Sequence, residues 1–112
     1  MDKITHYQNL LADLLNEYGS IAKTLTPDVK SQLIIDRERN QFQLLSVGWH
    51  GERYIYTVAF HFGIVGNKIW LQQNNTDIMI ADELVARGVP KSDIVLGFIA
   101  PEVRTYTGFA AA

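Results

Sequence analysis

The strongest constraint on the fold is a run of alternating residues in the middle of the chain. From position 54 to position 64, every second residue is large and apolar, and the residues between are smaller or more polar; the large positions are Tyr54, Tyr56, Val58, Phe60, Phe62 and Ile64. A period of two is typical of a β-strand with one buried face. The pattern therefore predicts a long strand, and a sheet that pairs its backbone groups.

Weaker strand patterns lie on both sides of this run. Before it, a strand from Gln32 carries Leu33 and Ile35 on one face, and a second spans positions 42–49. After it, the turn Gly66-Asn67 leads into a strand over positions 68–72. Short turns between successive strands predict an antiparallel meander. A last apolar run at positions 94–98 is too short to distinguish a fifth strand from a buried loop.

Two segments have the period of a helix instead. The first carries one apolar face, starts after a capping Asp2 and ends at Gly19, which leaves positions 20–30 as a connector. Its face consists of Ile4, Tyr7, Leu10, Leu11, Leu14, Leu15 and Tyr18. The second follows a cap within positions 74–77 and stops at Gly88 before Pro90, with Ile78, Ala81, Leu84 and Val85 buried.

These elements predict a single α+β domain over residues 1–112. We expect a mostly antiparallel sheet of four to five strands, flanked by an N-terminal helix and by a second helix after the meander. The length suits one domain, and 47% hydrophobic residues suffice for a core. The N-terminus has no signal-peptide pattern and no apolar run is long enough for a membrane span, so we expect an unprocessed cytoplasmic protein without membrane contact. The absence of cysteine fits that compartment.

The charge distribution argues against independent nucleic-acid binding. Ten basic and twelve acidic residues give a net charge of −2, and the basic residues are scattered. The tightest pair, Arg37 and Arg39, alternates with Asp36 and Glu38. Proteins that bind DNA usually cluster Lys and Arg, because each phosphate contact releases counterions. We therefore expect no direct nucleic-acid contact.

No pattern of residues indicates a catalytic, cofactor-binding or metal site. His6, His50 and His61 have no metal-ligand spacing, and without cysteine a zinc site lacks sulfur ligands. Carboxylates at Asp36, Glu38, Glu52, Asp82 and Glu83 are interpreted as solvated surface groups. Neither a nucleophile elbow nor a phosphate-binding loop is present in the sequence. We expect no enzyme activity and no cofactor.

Four aromatic residues are candidates for a protein interface. Trp49 and Trp70 lie on strands near polar residues, and Tyr106 and Phe109 lie in the C-terminal tail. Aromatic residues dominate cores, so core packing is the first interpretation of the two tryptophans. Tryptophan and tyrosine also concentrate at binding hot spots, which favours an interface and self-association. The strand at positions 68–72 carries only one charge, so we expect it to be the exposed contact edge.

Four blocks of sequence resemble the XisI proteins of cyanobacteria, the fdxN element excision controlling factors. They are the opening residues Asp2-Lys3, Tyr7, Leu14-Leu15 and Glu17-Tyr18, then Gln41–Trp49, then Lys68–Gln72, and finally Gly88–Phe98. The resemblance implies a regulatory role in site-specific DNA excision, in which a separate recombinase cuts the DNA. It also implies a XisH-like protein as partner. Two alternatives remain open: a nucleic-acid-binding accessory factor that positions the recombinase, and an uncharacterised small enzyme.

Overall fold

The computed structural model describes residues 2–112 and contains a five-stranded sheet with two α-helices. The strands run in spatial order β1-β2-β3-β4-β5; the first four are antiparallel neighbours, and β5 is parallel to β4. The elements are α1 (Lys3–Leu25), β1 (Val29–Asp36), β2 (Gln41–His50), β3 (Arg53–Val65), β4 (Lys68–Asn74), α2 (Ile80–Ala86), a 3₁₀ turn (Lys91–Asp93), β5 (Ile94–Leu96) and the C-terminal 3₁₀ helix (Pro101–Tyr106). The α+β class and the four-stranded meander are confirmed, and the short apolar run forms the fifth strand.

Helix α1 is longer than the sequence predicts. Asp2 caps its start as expected, since its carboxylate accepts a hydrogen bond from the Thr5 N–H at 2.8 Å. The predicted stop at Gly19 is wrong, because the helix continues to Leu25. Gly19 instead allows close packing: a Cβ there would lie 3.1 Å from Leu33 Cδ1 and 3.3 Å from Leu44 Cδ1. A glycine in mid-helix costs about 1 kcal/mol relative to alanine, and here it brings α1 close to the sheet.

Both helices pack on the same face of the sheet, which we call the helix face. A single cluster of buried side chains joins α1 to α2 through Phe60, Phe62, Ile69 and Leu71 of the sheet. On the surface, Arg87 after α2 binds Glu17 of α1 at 2.7 Å. The opposite side of the sheet, which we call the far face, receives no α-helix among residues 2–112.

The long alternating run forms β3, but its large residues do not all share one face. Leu44 pairs with Phe60, whereas the next residue of β2, Leu45, pairs with Val58. Successive residues of β2 point to opposite faces, so Phe60 faces the helices and Val58 faces away. Ala59 is the extra residue of a β-bulge that causes this inversion. The prediction of one continuous apolar face from position 54 to position 64 is therefore wrong.

The sequence predicts an exposed edge at the strand over positions 68–72, and the structure has its edges elsewhere. Strand β4 is not an edge, because β5 pairs with it in parallel from Ile69 to Leu71. Beyond β5, the chain returns and forms a bridge between Val95 and Ala110. The other edge is β1, which begins at Val29 rather than at Gln32. Within residues 2–112, β1 pairs only with β2.

Helix α2 begins later than predicted. Asn74 and Thr76 form a turn in which the Asn74 side-chain oxygen accepts from the Thr76 N–H at 2.9 Å. This polar segment precedes α2 and does not cap it; Met79 occupies the cap position without a side-chain hydrogen bond. The predicted stop is confirmed, since Gly88 has a φ of 99°. Neither α-helix in residues 2–112 is long and apolar enough to cross a membrane.

Candidate protein interface

The end of the β2–β3 hairpin presents aromatic side chains to solvent. We call residues 47–56 the aromatic arm. Trp49 pairs directly with Tyr54, and their ring centroids are 5.1 Å apart. The exposed fractions are 60% for Trp49, 51% for Tyr54 and 65% for Tyr56. Three large aromatic residues that expose half or more of their surface in one short hairpin are unusual, and such patches commonly mark binding surfaces.

Two local features place the arm beyond the core. Strand β4 pairs with β3 only from Phe60 onward, so the first half of β3 has no β4 residue beside it. Asn75, the residue after β4, makes the last contacts with β3: its backbone and side-chain N–H groups donate to the carbonyl oxygens of Ala59 and Val58, both at 2.9 Å. The bulge at Ala59 then directs Tyr54 and Tyr56 to the far face, away from the helices.

Trp70 also lies on the far face, but the C-terminal segment covers it. Its neighbours Ile69 and Leu71 belong to the core, so Trp70 points to the opposite side. The Arg104 guanidinium lies 5.1 Å from the Trp70 ring centroid, in cation–π geometry. Arg104 also donates to the carbonyl oxygens of Ile99 at 2.9 Å and Gly97 at 3.3 Å. These contacts fasten the C-terminal 3₁₀ helix over Trp70.

The two aromatic residues of the tail have different environments. Tyr106 is 86% exposed, whereas Phe109 is half-buried against the core. Lys91 lies 5.7 Å from the Phe109 ring centroid, and the Ala110 N–H donates to the Ile94 carbonyl oxygen at 2.9 Å. The tail is therefore docked along β5, with Tyr106 projecting from it.

The four candidate interface residues do not form one patch. Trp49 of β2 pairs with Tyr54 of β3, and Trp70 of β4 pairs with Gly63 of β3. On β2 the same stretch runs from Gln41, which pairs with Gly63, to Trp49, and at about 3.3 Å per residue these eight steps place the two tryptophans roughly 25 Å apart along the sheet. Trp49 belongs to the aromatic arm with Tyr54 and Tyr56, two residues that the alternating pattern predicts on the buried face of the strand. The residue type already hinted at this exposure, because tyrosine carries a polar hydroxyl and suits half-exposed positions.

A buried polar cluster connects the start of α1 to the segment before β5. The Tyr7 hydroxyl donates to Asp93 at 2.5 Å, and Lys3 Nζ lies 2.6 Å from the same carboxylate oxygen. Burial would raise the pKa of Asp93, but the hydrogen bonds from Lys3 and Tyr7 outweigh it and hold that pKa below its usual value. Burial and the Asp93 carboxylate raise the pKa of Tyr7. Asp93 therefore stays charged and Tyr7 protonated near neutral pH, which suits a structural anchor.

The histidines lie apart in the structure. His6 and His50 are exposed, on α1 and at the end of β2. His61 is half-buried on the far face, 2.8 Å from the Gln41 side-chain oxygen, and burial lowers its pKa. Among residues 2–112, no group of three or more His, Asp or Glu side chains is placed to hold a metal ion.

The carboxylates singled out in the sequence are at or near the surface. Asp36 accepts hydrogen bonds from the backbone and guanidinium of Arg39, at 2.9 and 3.2 Å. Glu38, Glu52 and Asp82 are exposed, and Glu83 pairs with Arg87 at 3.2 Å. Asp36 and Glu83 are thus paired with arginines, and the other three carboxylates are exposed to solvent.

Comparisons with known proteins give a consistent result. The protein family described as XisI protein matches residues 1–111. The crystal structure of a XisI-like protein from Anabaena variabilis superposes with a TM-score of 0.90 at 49% sequence identity, over 97% of this chain and 99% of that one. The structure of the fdxN element excision controlling factor XisI from the same organism gives a TM-score of 0.84 at 35% identity, over 99% and 100% of the two chains. No curated protein matches the chain.

Proposed function

The chain belongs to the XisI family, and on that premise we propose that it is a regulatory protein that acts by protein–protein contact in the control of site-specific DNA excision. The resemblance found in the sequence is confirmed at the level of the family. A structural relative at 35% identity is an fdxN element excision controlling factor. In this proposal the protein is not an enzyme, and it supplies a surface that another protein binds.

The observation that carries the proposal is the exposure of the aromatic arm. Trp49, Tyr54 and Tyr56 lie on the far face, which no α-helix of residues 2–112 covers, and each exposes half or more of its surface. Tryptophan and tyrosine supply much of the binding energy at interfaces because they bury large areas with few rotatable bonds. A hairpin that extends past the core also presents backbone groups of β3 that have no β4 partner. The arm therefore has both side-chain and main-chain means of binding a protein.

We propose a XisH-like protein as the partner at the arm. The charges near the hairpin end are mixed, with Glu52 and Arg53 adjacent to the turn. A small, mostly apolar contact with a mixed polar rim is typical of a specific protein interface. The net charge of −2 and the lack of a basic stripe do not favour a phosphate backbone in that position.

The direct test is a binding measurement with purified XisH-like protein from the same host. We expect the wild-type chain to bind, and Trp49→Ala and Tyr56→Ala each to raise the dissociation constant about 30-fold, the effect of a hot-spot residue. Tyr106→Ala is the matched control, because Tyr106 is also an exposed aromatic residue but lies on the docked tail. We expect it to change affinity less than about threefold.

Two outcomes would contradict the proposal. If Tyr106→Ala weakened binding and the arm variants did not, the contact would lie on the tail. If the wild-type chain bound no XisH-like protein and its purification from the host recovered no partner, a protein-contact role would lose its support. Each variant is first checked for native secondary structure by circular dichroism, so that misfolding is not read as lost binding.

A DNA titration separates this function from that of a nucleic-acid-binding accessory factor. In a mobility-shift experiment at moderate salt, we expect no complex with duplex DNA at low micromolar protein. A tight complex that weakens steeply as salt rises would instead favour direct DNA contact.

A further inference from the structure

The edge of the sheet at β1 is open and lacks the usual protection against pairing. Its central residues, Ser31 to Ile35, carry no charge and include three consecutive aliphatic side chains. The register with β2 is regular from Val29 to Asp36, without a bulge. Leu33 and Ile34 are 38% and 44% exposed although they point to opposite faces. Natural edge strands are commonly blunted by central charges, proline or bulges, and β1 has none of these.

We propose that the β1 edge pairs with the β1 edge of a second copy of this chain, in antiparallel orientation, to form a continuous sheet across a two-fold axis at Leu33. This inference does not depend on the aromatic arm or on a XisH-like partner. It concerns the strand edge at the opposite side of the sheet from β5.

The charges of β1 fit this register. With the axis at Leu33, Lys30 of one copy lies opposite Asp36 of the other, and the same pair recurs on the other side of the axis. Both residues occupy even positions in the strand, so their side chains share one face of the sheet. Lys30 has no ion pair within residues 2–112. Asp36 binds Arg39 at 3.2 Å, and a carboxylate has acceptor positions left for a further cation.

Neighbouring two-fold registers fit less well. Moving the axis to Gln32 places Lys30 opposite Ile34 and brings Asp36 opposite Asp28 of the second copy, which sets like charges together. Moving it to Ile34 shortens the paired segment to Gln32–Asp36 and leaves Lys30 beyond the strand of the second copy. The register centred on Leu33 is the one that pairs both charges within the strand.

Main-chain hydrogen bonding accommodates the same arrangement. Alternate residues of an antiparallel strand direct their N–H and C=O groups to opposite sides, so every second residue of β1 points away from β2. A two-fold axis through Leu33 pairs residues of equal parity, so each outward-pointing residue meets another one. About six to eight new main-chain hydrogen bonds would form, because each hydrogen-bonded pair exchanges two.

The helix side of the edge leaves room for this contact. Between α1 and β1 runs an open groove, with Leu33 and Val29 on its sheet side and Asn16, Ser20 and Lys23 on its helix side. Leu33 lies on the axis, so in the dimer it meets Leu33 of the second copy across this groove. Pairing thereby covers the part of the Leu33 side chain that is exposed in a single chain.

The experiment is sedimentation velocity of the full chain over about 1–200 μM. We expect a dimer at the high end of this range that dissociates into monomers at the low end. Lys30→Asp should raise the dimer dissociation constant about tenfold, because two attractive cross-strand pairs become repulsive together. The double variant Lys30→Asp/Asp36→Lys should restore the wild-type value, since it inverts both charges of each pair. Arg53→Asp makes the same charge change on the aromatic arm and should leave the dimer unchanged.

A second variant keeps the inference testable if Asp36→Lys disturbs the turn at Arg39. Leu33→Lys sets two ammonium groups at the axis and should give a monomer with the wild-type circular dichroism spectrum. A wild-type chain that stays monomeric at 200 μM would overturn the inference. A dimer that Arg53→Asp disrupts and that Lys30→Asp and Leu33→Lys leave intact would also overturn it, because the interface would then lie on the arm.

Discussion

The two halves of β3 have the same sequence pattern and opposite environments. After the bulge, Phe60 and Phe62 are 1% and 0% exposed beneath the helices. Before it, Tyr54 and Tyr56 alternate in the same way but are 51% and 65% exposed on the far face. One inserted residue, Ala59, separates a half that is buried in the core from a half whose tyrosines are exposed to solvent. Apolar alternation predicts a strand, and it does not show which of the large side chains are covered.

The same contrast extends over the whole sheet. The end that contains β4 and β5 is closed by the helices on one face and by the C-terminal segment on the other. The end that contains β1 and the aromatic arm has one covered face and an open edge. We therefore expect substitutions at the closed end to change stability, and substitutions at the open end to change association.

The largest effect is expected when the two halves of β3 are truncated in parallel. Phe60→Ala removes a fully buried ring and should lower the free energy of unfolding by about 3–5 kcal/mol. Tyr56→Ala removes an exposed ring and should change it by less than about 0.5 kcal/mol. Urea denaturation of both variants measures the difference. Equal losses would mean that the arm is part of the core and that the comparison is wrong.

An intermediate effect is expected at the Asp93 cluster of the closed end. Tyr7→Phe removes a hydrogen bond to a buried carboxylate and should cost about 1–3 kcal/mol at pH 7. The Asp93 pKa is lower in the folded chain than in the unfolded chain, so its ionisation stabilises the fold above about pH 4 and this contribution is lost as the pH falls through the folded value.

Lys3→Met tests the sign of that pH dependence. Without the ammonium group, the folded pKa of Asp93 should rise toward the unfolded value, so the variant should be less stable than the wild type at pH 7 and should lose less stability as the pH falls below about 4. Urea midpoints measured from pH 2 to pH 7 report the shift. An unchanged acid profile would show that Lys3 does not hold the carboxylate in its charged form.

The smallest effect is expected where the tail covers Trp70. Arg104→Ala removes a cation–π contact and two hydrogen bonds to backbone carbonyls, and should cost about 0.5–2 kcal/mol. Arg53→Ala on the arm is the matched control and should cost less than about 0.5 kcal/mol. If the two variants have equal stability, the contacts of Arg104 contribute nothing measurable to the fold.

Much of the architecture could be predicted from local patterns. The meander, the Asp2 cap and the stop at Gly88 each depend on residues that are close in sequence, and all three are confirmed. The predictions that failed depend on distant contacts. Gly19 resembles a helix terminator unless Leu33 and Leu44 are known to lie against it, and β4 resembles an edge unless β5 is known to return beside it.

The candidate site shows the same division. The sequence identified Trp49 as an interface candidate together with Trp70, Tyr106 and Phe109, and assigned Tyr54 and Tyr56 to the strand face that includes Phe60. The structure separates Trp49 from Trp70 and groups it with the two tyrosines. No short-range signal marks Ala59 as a bulge, because small residues are also common in regular strands.

The sequence by itself determined the family, the order of helices and strands, and the large side chains available for a core. Periodicity and turn residues act over a few positions, so the chain encodes them locally. Only the tertiary structure decided which of these side chains are covered, because coverage depends on where the bulge at Ala59 turns β3 and on which elements return to the sheet. Helix α1 packs on β1, β2 and β3 and the tail returns beside β5, whereas no strand of residues 2–112 pairs with the outer edge of β1.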